Sequence, residues 1–248
     1  MIPIRYTVEN GITFIRYISG GRLGDFIHQL SIVYEKYLQT GRKGILYISD
    51  QHGGDCFGLG IDKTFQDIYL IITSLPYIER FEIYTNQVYD YNLSLWRLTP
   101  DLYSKSWRQI FGDMYDVPWA SHAWLTSPIR SDLVDVTLIC SSPNRWNQGF
   151  DWKRFIPSLP GRVFYLRVSP SEYEHFQRES DVKLPYIDAP TFTEVVIAIN
   201  SCQKFVGTLS MPLAVADALK KDRIAITQAG SPDESVSVLN DSRYVNHA

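Results

Sequence analysis

Residues 12–49 constrain the fold more than any other stretch of this chain. ITFIRYI (12–18) is rich in β-branched and aromatic side chains, which suit a strand. SGGRLGD (19–25) follows as a glycine-rich turn. Phe26, Ile27, Leu30, Val33, Tyr34, Tyr37 and Leu38 then recur at helical spacing, with His28, Gln29, Ser31, Glu35 and Lys36 between them. Gly41 is placed to stop that helix, and KGILYIS (43–49) reads as a second strand. Two apolar strands joined by one helix imply a parallel pair with a right-handed crossover.

The second half repeats the alternation. VDVTLIC (134–140) and RVFYLRV (162–168) have strand composition, and SEYEHFQRES predicts a helix with Ser169 or Ser171 as its N-cap. TFTEVVIAINSC (191–202) predicts a second helix, capped by Thr191 or Thr193 with Glu194 in the first turn. KFVGT (204–208), MPLAVADALKK (211–221) and RIAITQ (223–228) continue as strand, helix and strand. This pattern predicts an α/β fold with buried parallel sheets. The units form two separated series, too many for one small sheet, and 248 residues lie between a one-domain and a two-domain length. WLTSPIRSD (124–132), with its proline and small polar residues, is the expected junction. The expected architecture is therefore two Rossmann-like lobes facing across a cleft, residues 1–127 and 128–248, without internal repeats.

Residues 65–124 hold 14 of the chain's 34 aromatic side chains, Tyr89, Tyr91, Trp96, Tyr103, Trp107, Trp119 and Trp124 among them. They serve either as packing or, for a few of them, as a platform for a sugar or another planar-faced ligand. Charge narrows the partners. With 24 basic and 27 acidic side chains the net charge is −3, which argues against a dedicated nucleic-acid binder. Cys56, Cys140 and Cys202 are far apart and odd in number, so neither a disulfide scaffold nor a metal set is expected. The first 18 residues lack signal-peptide architecture, and every apolar run falls far short of 18 residues, so a cytoplasmic protein without a membrane span is expected.

Three turns carry residues suited to chemistry. The first is Gly20-Gly21-Arg22-Leu23-Gly24-Asp25, where glycines admit close approach and the helix N-terminus favours an ionised carboxylate. Asp25 there is either a functional acid or a plain N-cap. A dinucleotide site is another reading, from Ser19-x-Gly21-x-x-Gly24 with Asp50 after the next strand, although the first glycine of that fingerprint is missing. The second turn is Phe205-Val206-Gly207-Thr208-Leu209-Ser210-Met211-Pro212, a strand end followed by a helix whose N–H groups suit a diphosphate, or an ordinary turn capped by Thr208 or Ser210. The third is Ser141-Ser142-Pro143-Asn144-Arg145, polar residues at the carboxyl end of a strand, with an arginine able to fork onto phosphate or simply to be solvated.

Two of these turns resemble the GT-B glycosyltransferases of the heptosyltransferase-like family nine. The family's first lobe carries G-D-hydrophobic-hydrophobic-H-x-L, and this chain has Gly24-Asp25-Phe26-Ile27-His28-Gln29-Leu30. Its second lobe carries G-x-D-S-G-P-x-H-x-A-x-A-L, and residues 207–219 follow that pattern with Leu209, Met211 and Ala214 at the departing positions. The chain is also shorter than typical members. The resemblance implies an inverting, metal-independent transfer of a sugar from a nucleotide-diphosphate sugar to an acceptor hydroxyl, with no cofactor and with Asp25 as general base. An aspartate with an ordinary pKa of about 3.9 is ionised at neutral pH, as that role requires. Ser141, Ser142, Arg145, Glu194, Thr208, Ser210 and Met211 are then donor contacts, Glu194 toward the ribose or else only paired with its helix dipole. Gly24, His28, His52 and Asp55 are acceptor contacts, the histidines otherwise solvated or structural. A nucleotide- or NAD-dependent enzyme of another type, and a non-catalytic sugar-nucleotide-binding protein, stand as alternatives.

Overall fold

The computed structural model describes residues 7–9, 12–51, 59–100, 102–228 and 243–247. The chain divides into two compact units, Met1–Leu125 and Thr126–Ala248.

The first unit comprises β1 (Thr7–Glu9), β2 (Ile12–Ser19), α1 (Leu23–Thr40), β3 (Gly44–Ile48), α2 (Ile61–Thr73), β4 (Ile78–Ile83), β5 (Tyr91–Asn92) and α3 (Trp107–Tyr115). β3 pairs parallel with β2, and β4 with β3. The chain then returns to the far side of β2, where β5 pairs parallel (Tyr17↔Tyr91, Ile18↔Asn92), while β1 runs antiparallel to the start of β2. The order reverses between β2 and β5, and in open α/β sheets such a reversal leaves a crevice at the carboxyl ends of the strands.

Helix α1 ends as expected at Gly41, which takes a left-handed conformation and donates its N–H to Tyr37. Its apolar stripe, Phe26, Ile27, Leu30 and Val33, is buried, but so are Gln29, Ser31, Glu35 and Lys36. The helix is thus covered well beyond its sheet-facing side. Much of that cover is aromatic. Trp96, Trp107, Phe111, Trp119 and Trp124 are all buried, with Trp96–Trp107 at 4.5 Å and Phe111–Trp119 at 5.6 Å between centroids. Trp124 Nε1 donates to the Ile27 carbonyl (2.9 Å), and Tyr77 Oη donates to the Trp124 carbonyl (2.6 Å). Packing is what these five rings do, since buried aromatics present no open face to a ligand.

The second unit comprises β6 (Val136–Cys140), α4 (Trp152–Phe155), β7 (Arg162–Arg167), α5 (Pro170–Ser180), β8 (Tyr186–Asp188), α6 (Phe192–Ser201), β9 (Lys204–Thr208), α7 (Met211–Ala218), β10 (Arg223–Gln228) and β11 (Arg243–His247). All six strands are parallel, in the order β8-β7-β6-β9-β10-β11. Counted from β6, that is 3-2-1-4-5-6, a doubly wound sheet reversing between β6 and β9. Ile139, Tyr165, Phe176, Val206 and Trp152 centre one core. The predicted helices and strands of this half are all present, with β6 shortened because Ser131–Leu133 form a 3-10 turn. β1, α2, β4, β5, α3, α4, β8 and β11 lie where the sequence pattern predicts no element. Among the described residues, no helix is long and apolar enough to cross a membrane.

Candidate functional site

In the first unit the glycine turn sits at the reversal between β2 and β5, and the segment after β5 closes over it. Gly20 N–H donates to Ser94 Oγ (2.9 Å), Ser94 Oγ donates to the Gly20 carbonyl (3.3 Å), and Gln29 Nε2 reaches that carbonyl too (3.2 Å). α1 begins with Arg22 as N-cap and without a side-chain cap bond, so Asp25 is the third helical residue rather than a cap. Its carboxylate turns instead to Arg97, from the 3-10 turn Leu95–Leu98, and Nη2 and Oδ2 form a charge-assisted hydrogen bond. Both side chains keep about a quarter of their surface exposed, 22% for Asp25 and 25% for Arg97. The guanidinium carbon stands 4.7 Å from the Trp96 ring centroid.

Gly21 makes this arrangement fit. Its φ is +98°, and a Cβ there would lie 2.8 Å from Arg97 Nη2. The close approach allowed by the turn is therefore used by the protein's own arginine. That argues against the dinucleotide reading, whose pyrophosphate needs the same space beside a carboxylate that repels it. Asp50 is exposed beyond β3. One turn along α1 from Asp25, the half-buried ring of His28 sits 5.3 Å from Trp107 and 5.6 Å from Trp119. Gly24 is half-buried in the same first turn. His52 and Asp55, and with them Cys56, lie outside the described residues.

In the second unit the two predicted loops meet at the reversal between β6 and β9. Ser142 N–H donates to Thr208 Oγ1 (2.7 Å). Ser141 is buried, with its N–H 3.4 Å and its Oγ 3.3 Å from Tyr165 Oη, which also reaches the Ser141 carbonyl (3.2 Å). Burial holds that phenol far above the ordinary tyrosine range, so it remains a hydrogen-bonding hydroxyl. Ser210 is the N-cap of α7 but makes no side-chain cap bond; its Oγ donates to the Thr208 carbonyl (3.1 Å). Pro212 occupies the second helical position, so the first turn presents the N–H groups of Met211 and Leu213, while Ala214 N–H already bonds the Ser210 carbonyl (3.1 Å). Arg145 is exposed at the end of the 3-10 turn Pro143–Arg145, and Asn147 anchors that loop by donating to the Thr227 carbonyl (2.8 Å). Of the departing residues, Leu209 and Met211 are half-buried and Ala214 is buried.

Glu194 and Glu172 each stand third in a capped helix of the second unit. Glu194 closes a capping box: its Oε2 accepts from Thr191 N–H (3.0 Å) and Thr191 Oγ1 (2.7 Å), which accounts for its first-turn position on structural grounds. Glu172, passed over in the sequence, is the third residue of α5, capped by Ser169 (3.3 Å), and its carbonyl accepts from the same Tyr165 Oη that holds Ser141 (3.4 Å). Its half-buried carboxyl is pushed above the ordinary glutamate range by desolvation. The Ser169-x-x-Glu172 spacing was a signal available in the sequence. Among the described residues no three His, Cys, Asp or Glu side chains gather as metal ligands. The Cys140 thiol is buried, and burial drives its pKa well up, so it is inert.

No family model matches the chain, and no curated protein matches it in sequence. Solved structures do match in fold. The Escherichia coli heptosyltransferase WaaC, solved with ADP-2-deoxy-2-fluoro heptose, superposes with a TM-score of 0.54 at 10% identity over 94% of each chain. The E. coli ADP-heptose lipopolysaccharide heptosyltransferase II gives 0.56 at 12% identity over 94% of this chain and 90% of that one. A family 9 glycosyl transferase from Veillonella parvula gives 0.59 at 9% identity, covering 94% and 86%. The α/β fold is thus one shared with heptosyltransferases.

Proposed function

We propose that this protein is an inverting glycosyltransferase that moves a sugar from a nucleotide-diphosphate sugar to an acceptor hydroxyl. The observation that carries the reading is the Ser142–Thr208 hydrogen bond, which joins two polar loops and the N-terminus of α7 at the reversal of a doubly wound sheet, where such sheets bind ligands. The E. coli heptosyltransferase WaaC, which is similar in fold and has been solved both with ADP and with ADP-2-deoxy-2-fluoro heptose, adds support.

In this reading the diphosphate lies against Ser142, Ser210 and the Met211 N–H, with Arg145 forking onto its oxygens, while the buried Ser141 and Thr208 hold the two loops from behind. Glu172 joins Glu194 as an acceptor from the ribose, since its backbone carbonyl shares Tyr165 Oη with Ser141 and its half-buried carboxyl lies in the same part of the second unit. Asp25 is the base that acts on the acceptor hydroxyl in this reading. The acceptor oxygen attacks the anomeric carbon as its proton passes to the Asp25 carboxylate. The bond from the carbon to the diphosphate oxygen breaks, and its electron pair leaves with the diphosphate. Attack opposite the leaving group inverts the centre. Arg145 and the α7 N-terminus stabilise the charge that develops, which assigns no step to a metal or further cofactor. Gly24 and His28 border the acceptor, and the reaction takes place in the cytoplasm.

A thermal-shift panel of ADP, UDP, GDP and their sugars, with NAD as a control, tests the donor site, since a ligand of the folded state raises its melting temperature. Stabilisation by one nucleoside diphosphate and its sugars, abolished in Arg145→Ala, is the expected result. A response to NAD alone overturns the reading, and a diphosphate response without transfer indicates a sugar-nucleotide-binding protein.

A further inference from the structure

Arg97 lies 72 positions from Asp25 in the sequence and belongs to none of the motifs described above. Its placement is nevertheless built from several directions. The guanidinium is bonded to the Asp25 carboxylate, packed over the Trp96 ring at 4.7 Å, and given its space by the missing Cβ of Gly21, 2.8 Å away. Trp96 is itself buried against Trp107. Ser94, three residues earlier, ties the same turn to Gly20. Two backbone segments and an aromatic wall thus hold one arginine on one carboxylate, at the reversal point of the first sheet. An ordinary surface ion pair has no such scaffold.

Resting on the transferase reading, we propose that Arg97 is the positioning residue of the general base, fixing the orientation of the Asp25 carboxylate toward the acceptor hydroxyl. A carboxylate free to rotate spends much of its time misaligned, and displacement of a reacting group by about 1 Å costs on the order of a hundredfold in rate. A neighbouring cation also favours the charged form of a carboxylate, so the pair extends the range in which a base is ready. Arg22 and His28 stand within one turn of Asp25 at the start of α1, with Glu35 and Lys36 farther along it, and α3 carries the exposed Arg108 and Asp113; Arg97 Nη2 donates to the carboxylate.

The test compares wild type, Arg97→Met and Arg97→Lys, each first confirmed as folded by its melting transition. Nucleoside diphosphate release from a panel of ADP-, UDP- and GDP-sugars is followed with mixed saccharide acceptors, and the Asp25 carboxyl is titrated by carbon NMR. In Arg97→Met, kcat should fall about tenfold to a hundredfold with the donor KM unchanged. The acid limb of the rate profile and the Asp25 titration should both move up together. Arg97→Lys should restore most of both. A folded Arg97→Met with unchanged kcat, or with lower kcat but an unmoved Asp25 titration, overturns the positioning role while leaving the transferase reading intact. Absence of transfer by the wild type with every donor removes the transferase reading and the positioning role with it.

Discussion

Ser142 and Thr208, 66 positions apart, are joined by a 2.7 Å hydrogen bond from the Ser142 N–H to the Thr208 hydroxyl, across the point where the second sheet reverses its strand order. Thr208 is fully buried, so no solvent molecule substitutes for that hydroxyl. Thr208→Val keeps the shape and removes the acceptor, and should cost about 1–3 kcal/mol in urea unfolding. Nucleoside diphosphate affinity, measured by calorimetry, should fall as well. Thr208→Ser should retain both properties.

Gly21 carries the corresponding constraint in the first unit. Gly21→Ala places a methyl group in a backbone conformation that L residues rarely adopt and against the Arg97 guanidinium. The backbone strain should cost about 1–3 kcal/mol. Transfer should fall further than stability explains, because Arg97 is displaced from Asp25. The comparison is made by measuring kcat at a temperature where the variant is fully folded.

Asp217 and Arg223 form an ion pair that is almost wholly buried, with Lys220 Nζ 3.9 Å from the same carboxylate. Removing one partner leaves an uncompensated buried charge, so Asp217→Ala should lose about 3–5 kcal/mol of stability in denaturant unfolding. The double variant Asp217→Leu with Arg223→Met should recover much of that loss.

Glu172 links stability to pH. Desolvation raises its folded pKa, so its charged form is less favourable in the folded state than in the unfolded chain. Its cost is absent below the ordinary glutamate pKa of about 4.3 and grows as pH rises through that value toward the folded one. Glu172→Gln should therefore raise the melting temperature at pH 7.5 and leave it unchanged near pH 3.5. In the proposed donor site the same variant should bind nucleoside diphosphates more weakly, a stability gain at the expense of function.

Much of this was legible in the sequence, for identifiable reasons. α1 showed through its helical period, and α6 through a threonine cap with Glu194 in its first turn. The two polar loops of the second unit showed through their turn residues. Arg97 did not, because nothing local marks it: its meaning comes from a glycine and a carboxylate on the far side of a crossover. Glu172 and Glu194 look alike in sequence, as each stands third in a capped helix; only the tertiary neighbour Tyr165 separates them. α2 buries Thr64, Ile68, Ile71 and Ile72 as one helical stripe, but the apolar Tyr69 and Leu70 on its exposed side blur that period in the sequence. β4 is harder, since only Ile78 and Phe81 of its six residues are buried.

The most direct test is the transfer reaction itself in wild type and Asp25→Asn, measured as product formed from the nucleotide sugar that binds best, with donor affinity determined in parallel. The account expects Asp25→Asn to bind the donor as the wild type does and to lose about 10²- to 10⁴-fold in turnover, the usual contribution of a general base. Wild-type turnover retained in Asp25→Asn would contradict it.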